Sequence, residues 1–106
     1  MITDERCEKA IRFLAETDEK AAIAKVESQR LEDEVKAIKA AVFTRGEGSV
    51  EQRKADAELH QSVKDIRKEY YDQLLAYEHL QNRRRTEERV TELWRTVASN
   101  RRHGMV

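Results

Sequence analysis

Apolar residues recur at spacings of three and four along two long stretches of the chain, on either side of residues 45–49. The first stretch, about residues 3–44, keeps this spacing except for an irregular step between Ile11 and Thr17. Such spacings place side chains on one face of an α-helix, and their sustained alternation is typical of coiled coils. The pattern therefore predicts a long helix with one narrow apolar stripe and a local change of winding near its start.

The second stretch, about residues 50–98, carries the same pattern from Leu59 to Leu80. Residues 81–89 contain no apolar side chain, and the pattern resumes beyond them. This polar segment also contains no glycine or proline, so we expect the helix to continue through it. A short basic tail, residues 99–106, is predicted to follow the helix.

The segment between the two stretches, residues 45–49, has the composition of a turn. It contains two of the three glycines of the chain, and Gly46 suits the left-handed conformation that ends many helices. Ser49 and Gln52 have the spacing of a capping box, in which each side chain bonds the backbone N–H of the other residue. The chain is therefore predicted to fold back as an antiparallel hairpin, pairing residues whose numbers sum to roughly 97.

Composition supports an all-α fold, with residues 1–106 forming a single helical-hairpin domain. Hydrophobic residues make up 39% of the chain and charged residues 40%, as expected when long helices each bury one stripe. Two helices alone cover little apolar surface. We therefore expect self-association, with two hairpins completing a four-helix bundle or a higher oligomer.

The predicted register leaves the far end of the hairpin without a matching stripe. Leu14 faces Arg84 in this register, and Trp94 has no residue opposite. We therefore expect partner chains to bind near the two ends of the chain. The predicted interface residues are Ile11, Phe13, Leu14, Leu93, Trp94 and Val97.

The last quarter of the chain is basic and gives a second hypothesis. From Gln81 onward there are seven arginines and three glutamates, a net charge of +4. Arginine suits bidentate contact with phosphate, and tryptophan stacks on bases. The predicted nucleic-acid contacts are Arg83, Arg84, Arg85, Trp94, Arg101 and Arg102. The alternative is that Arg83 to Arg85 form a solvated face that pairs with the acidic first helix and that Trp94 anchors a protein interface.

No sequence motif points to catalysis, a cofactor or a metal. The glycines do not form a phosphate-binding loop, and none of the three histidines follows a glutamate at the Glu-x-x-His spacing of di-iron bundles. The single cysteine, Cys7, excludes an intramolecular disulfide. Apolar runs are too short to span a membrane, and the charged start is unlike a signal peptide. We expect a non-enzymatic, cytoplasmic protein without a membrane partner.

Four segments resemble small uncharacterised proteins encoded by tailed bacteriophages and prophages. They are VTELWR at 90–95, ASNRRHG at 98–104, GSVEQR at 48–53 and MITDERCEKA at 1–10. The resemblance implies a bacterial host cell and an accessory role, and brings no established activity or catalytic residue. The leading hypothesis is an assembly or adaptor protein that binds itself or another phage protein. The alternative is a nucleic-acid-binding accessory of phage recombination or replication.

Overall fold

A computed structural model describes residues 1–104, and it consists of three helices. They are α1 (Asp4–Arg45), α2 (Val50–Leu59) and α3 (Gln61–Arg102). Residues 1–104 contain no strand, and the fold is an all-α antiparallel helical hairpin, as predicted. Within the same residues, no helix has an apolar stretch long enough to cross a membrane.

The second predicted helix differs from the observed one at its end. Helix α3 continues to Arg102, so the segment predicted as a tail from residue 99 begins inside the helix. Residues 105–106 of that predicted tail lie outside the described residues. The polar segment 81–89 is helical throughout, which confirms the predicted continuity.

A break at His60 separates α2 from α3, and the sequence pattern did not predict it. His60 has extended backbone angles, φ −66° and ψ 136°, and ends α2. Its ring nitrogen Nδ1 accepts a hydrogen bond from the Ser62 backbone N–H at 3.2 Å. The side chain therefore satisfies one of the unpaired N–H groups at the start of α3, as an N-cap residue does.

The turn between α1 and α2 lies where it is predicted and has the predicted Ser49 cap, but a different glycine adopts the left-handed conformation. Ser49 caps α2, accepting from the Gln52 N–H at 3.1 Å. The left-handed residue is Gly48, at φ 100°, and not Gly46 as predicted. Gly46 instead permits a close approach, because a Cβ there would lie 3.2 Å from Arg53 Cγ and 3.3 Å from the Phe43 carbonyl oxygen.

The chain divides into two compact units, each built from antiparallel helical segments. Unit 1 comprises Met1–Ala22 and Glu78–Val106, described through Gly104, and unit 2 comprises Ile23–Tyr77. In unit 2, Lys39 pairs with Glu58, as the predicted register requires. The prediction that the chain is a single domain remains a prediction.

The buried face of α1 follows an unbroken alternation of three- and four-residue steps. Ala10 is fully buried, whereas Ile11 is 55% exposed, so the predicted irregular step near Ile11 is wrong. We call the residues of this face, all buried or half-buried, the α1 seam. They are Cys7, Ala10, Leu14, Thr17, Ala21, Ala24, Ser28, Leu31, Val35, Ile38 and Val42.

Helix α3 has a seam with the same alternation, again without interruption. Leu59, predicted to start this stripe, is 68% exposed, and Ala57 of α2 is buried instead. The α3 seam runs straight through the polar segment, and its members are all buried or half-buried. They are Val63, Ile66, Tyr70, Gln73, Tyr77, Leu80, Arg84, Glu87, Thr91, Trp94 and Ala98.

The reassignment of the seam near the start of α1 can be tested with one matched pair of substitutions. Ala10→Asp buries a carboxylate without a partner and should lower the free energy of unfolding by about 3 kcal/mol. Ile11→Asp introduces the same side chain at an exposed position and should cost about 1 kcal/mol or less. Urea unfolding followed by circular dichroism measures both. Equal losses for the two variants would contradict the assigned seam.

Candidate functional site

The most distinctive feature of unit 1 is an arginine that lies in the seam. The Arg84 side chain is only 13% exposed. Its Nη1 donates hydrogen bonds to the Leu14 carbonyl oxygen at 2.8 Å and to Thr17 Oγ1 at 2.5 Å. A buried guanidinium is tolerated only when its donors find acceptors, and α1 supplies a backbone and a side-chain oxygen.

Thr17 accepts from Arg84 because its own hydroxyl proton is already committed. Thr17 Oγ1 donates to the Phe13 carbonyl oxygen one helical turn earlier, at 2.7 Å. This leaves the lone pairs of the hydroxyl free to accept. Asp18 lies farther out, with Oδ1 3.5 Å from Arg84 Nη2 and a side chain 84% exposed. Asp18 therefore contributes little beside the two shorter bonds.

The next seam position of α3 holds a buried carboxylate. Glu87 is 8% exposed, and its Oε1 accepts from Arg6 Nη2 at 2.9 Å. The same nitrogen lies 2.7 Å from Oε2, within ion-pair distance. That contact lacks hydrogen-bond geometry, so Oε2 has no hydrogen-bond donor among residues 1–104. Arg6 is therefore the single hydrogen-bond partner of the Glu87 carboxylate among residues 1–104, and it satisfies only one of the two carboxylate oxygens.

Trp94 closes unit 1 near the chain ends. Its indole Nε1 donates to Asp4 Oδ1 at 2.7 Å. The expectation that Trp94 has no residue opposite is therefore wrong. The ring is half-buried and contributes to the α3 seam, because α1 extends far enough back toward the N-terminus to meet it.

The predicted interface residues differ in their exposure to solvent. Ile11 and Leu93 are exposed, at 55% and 52%. Phe13 is half-buried, with the Arg83 guanidinium carbon 4.3 Å from its ring centre. The others, Leu14, Trp94 and Val97, are half-buried. Their role as a partner interface remains a prediction.

The predicted nucleic-acid contacts are likewise divided by the structure. Arg84 is committed to α1 and Arg83 stacks on Phe13, which agrees with the alternative that the arginines serve the hairpin itself. Arg85 bonds Asn82 at 3.3 Å, one turn earlier on α3. Arg101 and Arg102 are exposed in the last turn of α3.

Sequence reasoning placed Leu14 opposite Arg84, as the structure does, but it missed Thr17 as an acceptor for Arg84 and the burial of Glu87. A signal for them was present in the spacing. Continuing the three- and four-residue steps beyond Leu80 leads to Arg84, Glu87, Thr91 and Trp94 in turn. Treating the polar segment as an interruption of the stripe concealed that it occupies seam positions.

Charged residues of unit 2 form surface networks rather than a buried one. Glu58 accepts from both Lys39 and Arg67, and these bonds hold the pKa of its carboxyl below the ordinary value. The Arg30 guanidinium likewise lowers the pKa of Glu27. Tyr70 is the opposite case, because desolvation raises the pKa of its phenol, with the Glu32 charge adding to the shift.

Unit 2 also carries a shallow hollow of about 300 Å³ near the turn. It has an apolar floor and three lysines on its rim, and its lining is Lys36, Lys39, Ala40, Phe43, Lys54 and Ala57. Lys36 lies 3.7 Å from Glu32, and Lys39 pairs with Glu58. Two of the three rim cations are thus already neutralised, which leaves a weak site for an anion. Within residues 1–104, no cluster of three or more His, Cys, Asp or Glu side chains is arranged to hold a metal.

Comparison of the chain with protein families, curated proteins and solved structures finds no match.

Arg84 should contribute more to the free energy of unfolding than its exposed neighbour Arg85. Arg84→Ala removes two hydrogen bonds and the packing of the aliphatic stem, and should lower the free energy of unfolding by about 2 kcal/mol. Arg85→Ala removes the same charge from an exposed position and should change it by about 0.5 kcal/mol or less. Urea unfolding followed by Trp94 fluorescence reports on unit 1. Equal effects would mean that Arg84 acts only through its charge.

Proposed function

We propose that this chain is a non-enzymatic helical assembly or adaptor protein of phage or prophage origin. It would bind partner chains, including a second copy of itself, through apolar side chains on the outer faces of its helices. One observation carries the proposal. Within unit 2, the long helices α1 and α3 leave four large apolar side chains exposed outside their seams: Ile23 at 60%, Val26 at 62%, Tyr71 at 57% and Leu75 at 59%.

These four residues are regularly placed on their helices. Ile23 and Val26 are three residues apart on α1, and Tyr71 and Leu75 are four apart on α3, so each pair lies on one helix face. Neither pair belongs to the α1 seam or the α3 seam, and each of the four side chains is more than half exposed. Each pair is the minimal anchor of a helix-on-helix contact, the kind of contact that completes a bundle.

Surface area supports the same conclusion. The chain exposes 8073 Å². A compact monomer of its 12.4 kDa mass would expose about 6100 Å² by the usual scaling of surface with mass. The excess of about 2,000 Å² is more than the area of about 800 Å² that each partner buries in a standard protein–protein interface. The hairpin therefore has enough uncovered surface to form a stable contact with another chain.

Light scattering at tens of micromolar concentration tests self-association. The wild-type mass should exceed the 12.4 kDa of one chain. Replacing Tyr71 and Leu75 together by Gln, or Ile23 and Val26 together by Gln, should shift the mass toward that of one chain, because each change removes an apolar anchor.

A matched control uses two exposed acidic residues on a different face of α3 in the same unit. Asp65→Asn with Glu69→Gln should leave the mass unchanged. A wild-type protein that is monomeric at these concentrations would contradict self-association. If neither apolar double variant changes the mass, the contact does not use these side chains and must lie on another face of the hairpin.

Nucleic-acid binding is the alternative function, and one observation favours it. Although Arg84 is sequestered, α3 keeps six exposed arginines beyond residue 82. They are Arg83, Arg85, Arg89, Arg95, Arg101 and Arg102. Exposed arginines along one helix can neutralise successive phosphates of a single or double strand. In this role the chain would act as an accessory of phage recombination or replication.

Salt dependence separates this alternative from an assembly role. If the arginines contact phosphates, affinity for a labelled single strand should fall linearly on a log–log plot against salt. Arg101→Ala with Arg102→Ala should then reduce the slope by about 1.4, because each phosphate contact contributes about 0.7 on a single strand. The corresponding change at Lys64 and Lys68, two exposed cations of unit 2, should leave the slope unchanged. Absence of binding at low salt would exclude the alternative.

A further inference from the structure

The seams of the two units differ in what they bury. In unit 1 the buried apolar residues are all small: Cys7 at 2% exposure, Ala10 at 0% and Ala21 at 9%. Unit 2 buries branched aliphatic side chains, which are Leu31 at 3%, Val63 at 0% and Ile66 at 7%, together with Ala57 at 1%. Since the hydrophobic contribution scales with buried apolar area, the fully buried positions of unit 2 contribute more than those of unit 1.

The polar residues of the unit 1 seam do not make up this difference. Arg84 and Glu87 have lost most of their hydration, and their partners repay that loss only in part. Glu87 Oε2 has no hydrogen-bond donor among residues 1–104. Arg6, the partner of Glu87, has a side chain 38% exposed, so solvent screens that pair. Opening unit 1 would return both charges to water.

Chain connectivity makes opening of unit 1 the easier event. Unit 1 holds the first residues of α1 and the last of α3, whereas unit 2 contains the turn. Inside unit 2 the turn is fastened by the Ser49 cap and by Arg53, whose Nε donates to the Phe43 carbonyl oxygen at 3.1 Å. The helices of unit 1 can separate while these local contacts of unit 2 persist. In the opposite state, with unit 1 closed and unit 2 unfolded, residues 23–77 would form a long loop, and closing that loop would cost entropy.

We propose that unit 1 opens as a cooperative segment from the native state while unit 2 stays folded. Opening uncovers Cys7, Leu14 and Trp94, which the closed hairpin holds in its seams. We call the contacts of Arg84 and Glu87 with α1 the polar clamp. The polar clamp fixes the register of the closed helices, but it does not make unit 1 the most stable part of the fold. This inference does not depend on the proposed function.

Thiol reactivity tests the proposal, because the single cysteine lies in the unit 1 seam. An excess of Ellman's reagent is added to the native protein, and the labelling rate of Cys7 is measured against urea. The matched probe is Cys7→Ala with Ser28→Cys, which moves the thiol to a unit 2 seam position only 5% exposed. Cys7 should react at least about tenfold faster, and its rate should rise less steeply with urea.

The two rates decide between independent and concerted opening. Equal rates with equal urea dependence at both positions would overturn the proposal, because both thiols would then await global unfolding. Faster reaction at the Ser28→Cys position would overturn it as well. Rates that do not change with protein concentration exclude subunit dissociation as the event measured.

A substitution in the clamp gives an independent readout. Arg84→Ala should raise the Cys7 rate by about tenfold or more, and the rate at the Ser28→Cys position by up to the same factor, because global unfolding also opens unit 1; Arg85→Ala should change neither. Val63→Ala truncates a fully buried side chain of unit 2, so it should raise the rate at the Ser28→Cys position and leave the Cys7 rate unchanged. Circular dichroism verifies that each variant is folded. Acceleration of Cys7 by Val63→Ala would show that the two units open together. Should Arg84→Ala fail to fold, the comparison of thiol positions in the otherwise unchanged protein still decides.

Discussion

The guanidinium of Arg84 imposes the strictest constraint on how the two long helices of unit 1 meet. Its donors require oxygen acceptors in a place where water has little access, and α1 provides them at Leu14 and Thr17. A shift of α3 by one heptad would bring Arg84 toward Ala10 or Ala24 of the same seam. Neither alanine offers a side-chain acceptor. The charge therefore selects one register out of several that the repeating spacing would allow.

This selection of register by Arg84 matters because the buried apolar residues of the unit 1 seam do not specify a register by themselves. Alanines at positions 10 and 21 fit against many side chains and distinguish poorly between alternative registers. A seam of small residues brings helices close and leaves specificity to its polar members. Unit 2 relies on shape instead, because Leu31, Val63 and Ile66 must interdigitate. The two units thus reach a defined pairing by different physical means.

The helical class, the hairpin and the continuity of residues 81–89 could be predicted from the sequence, because spacing and the absence of helix breakers determine them. The membership of the seam could not be predicted residue by residue. Hydrophobicity favours Ile11 and Leu59 as stripe members, whereas the buried residues are Ala10 and Ala57. The structure follows phase: a small residue at the correct step is buried, and a large one beside it is left in solvent.

The break at His60 and the role of Arg84 were missed for a related reason. Neither residue belongs to a type that marks helix breaks or buried seams. His60 acts through a local hydrogen bond from the Ser62 N–H, and Arg84 acts through two hydrogen bonds to α1. The predicted register already sets Leu14 opposite Arg84, and predicting the rest of the candidate site would have required each polar seam residue to be tested for an acceptor opposite.

The uncovered apolar residues follow from the geometry of two helices. A helix in a pair buries only the seam, and every position on its outer face remains accessible to solvent or to another chain. Most of these positions hold charged residues, which solvate the surface. Ile23, Val26, Tyr71 and Leu75 interrupt that pattern, each more than half exposed. These four side chains lie outside both seams, and the proposed contact with another chain would cover them.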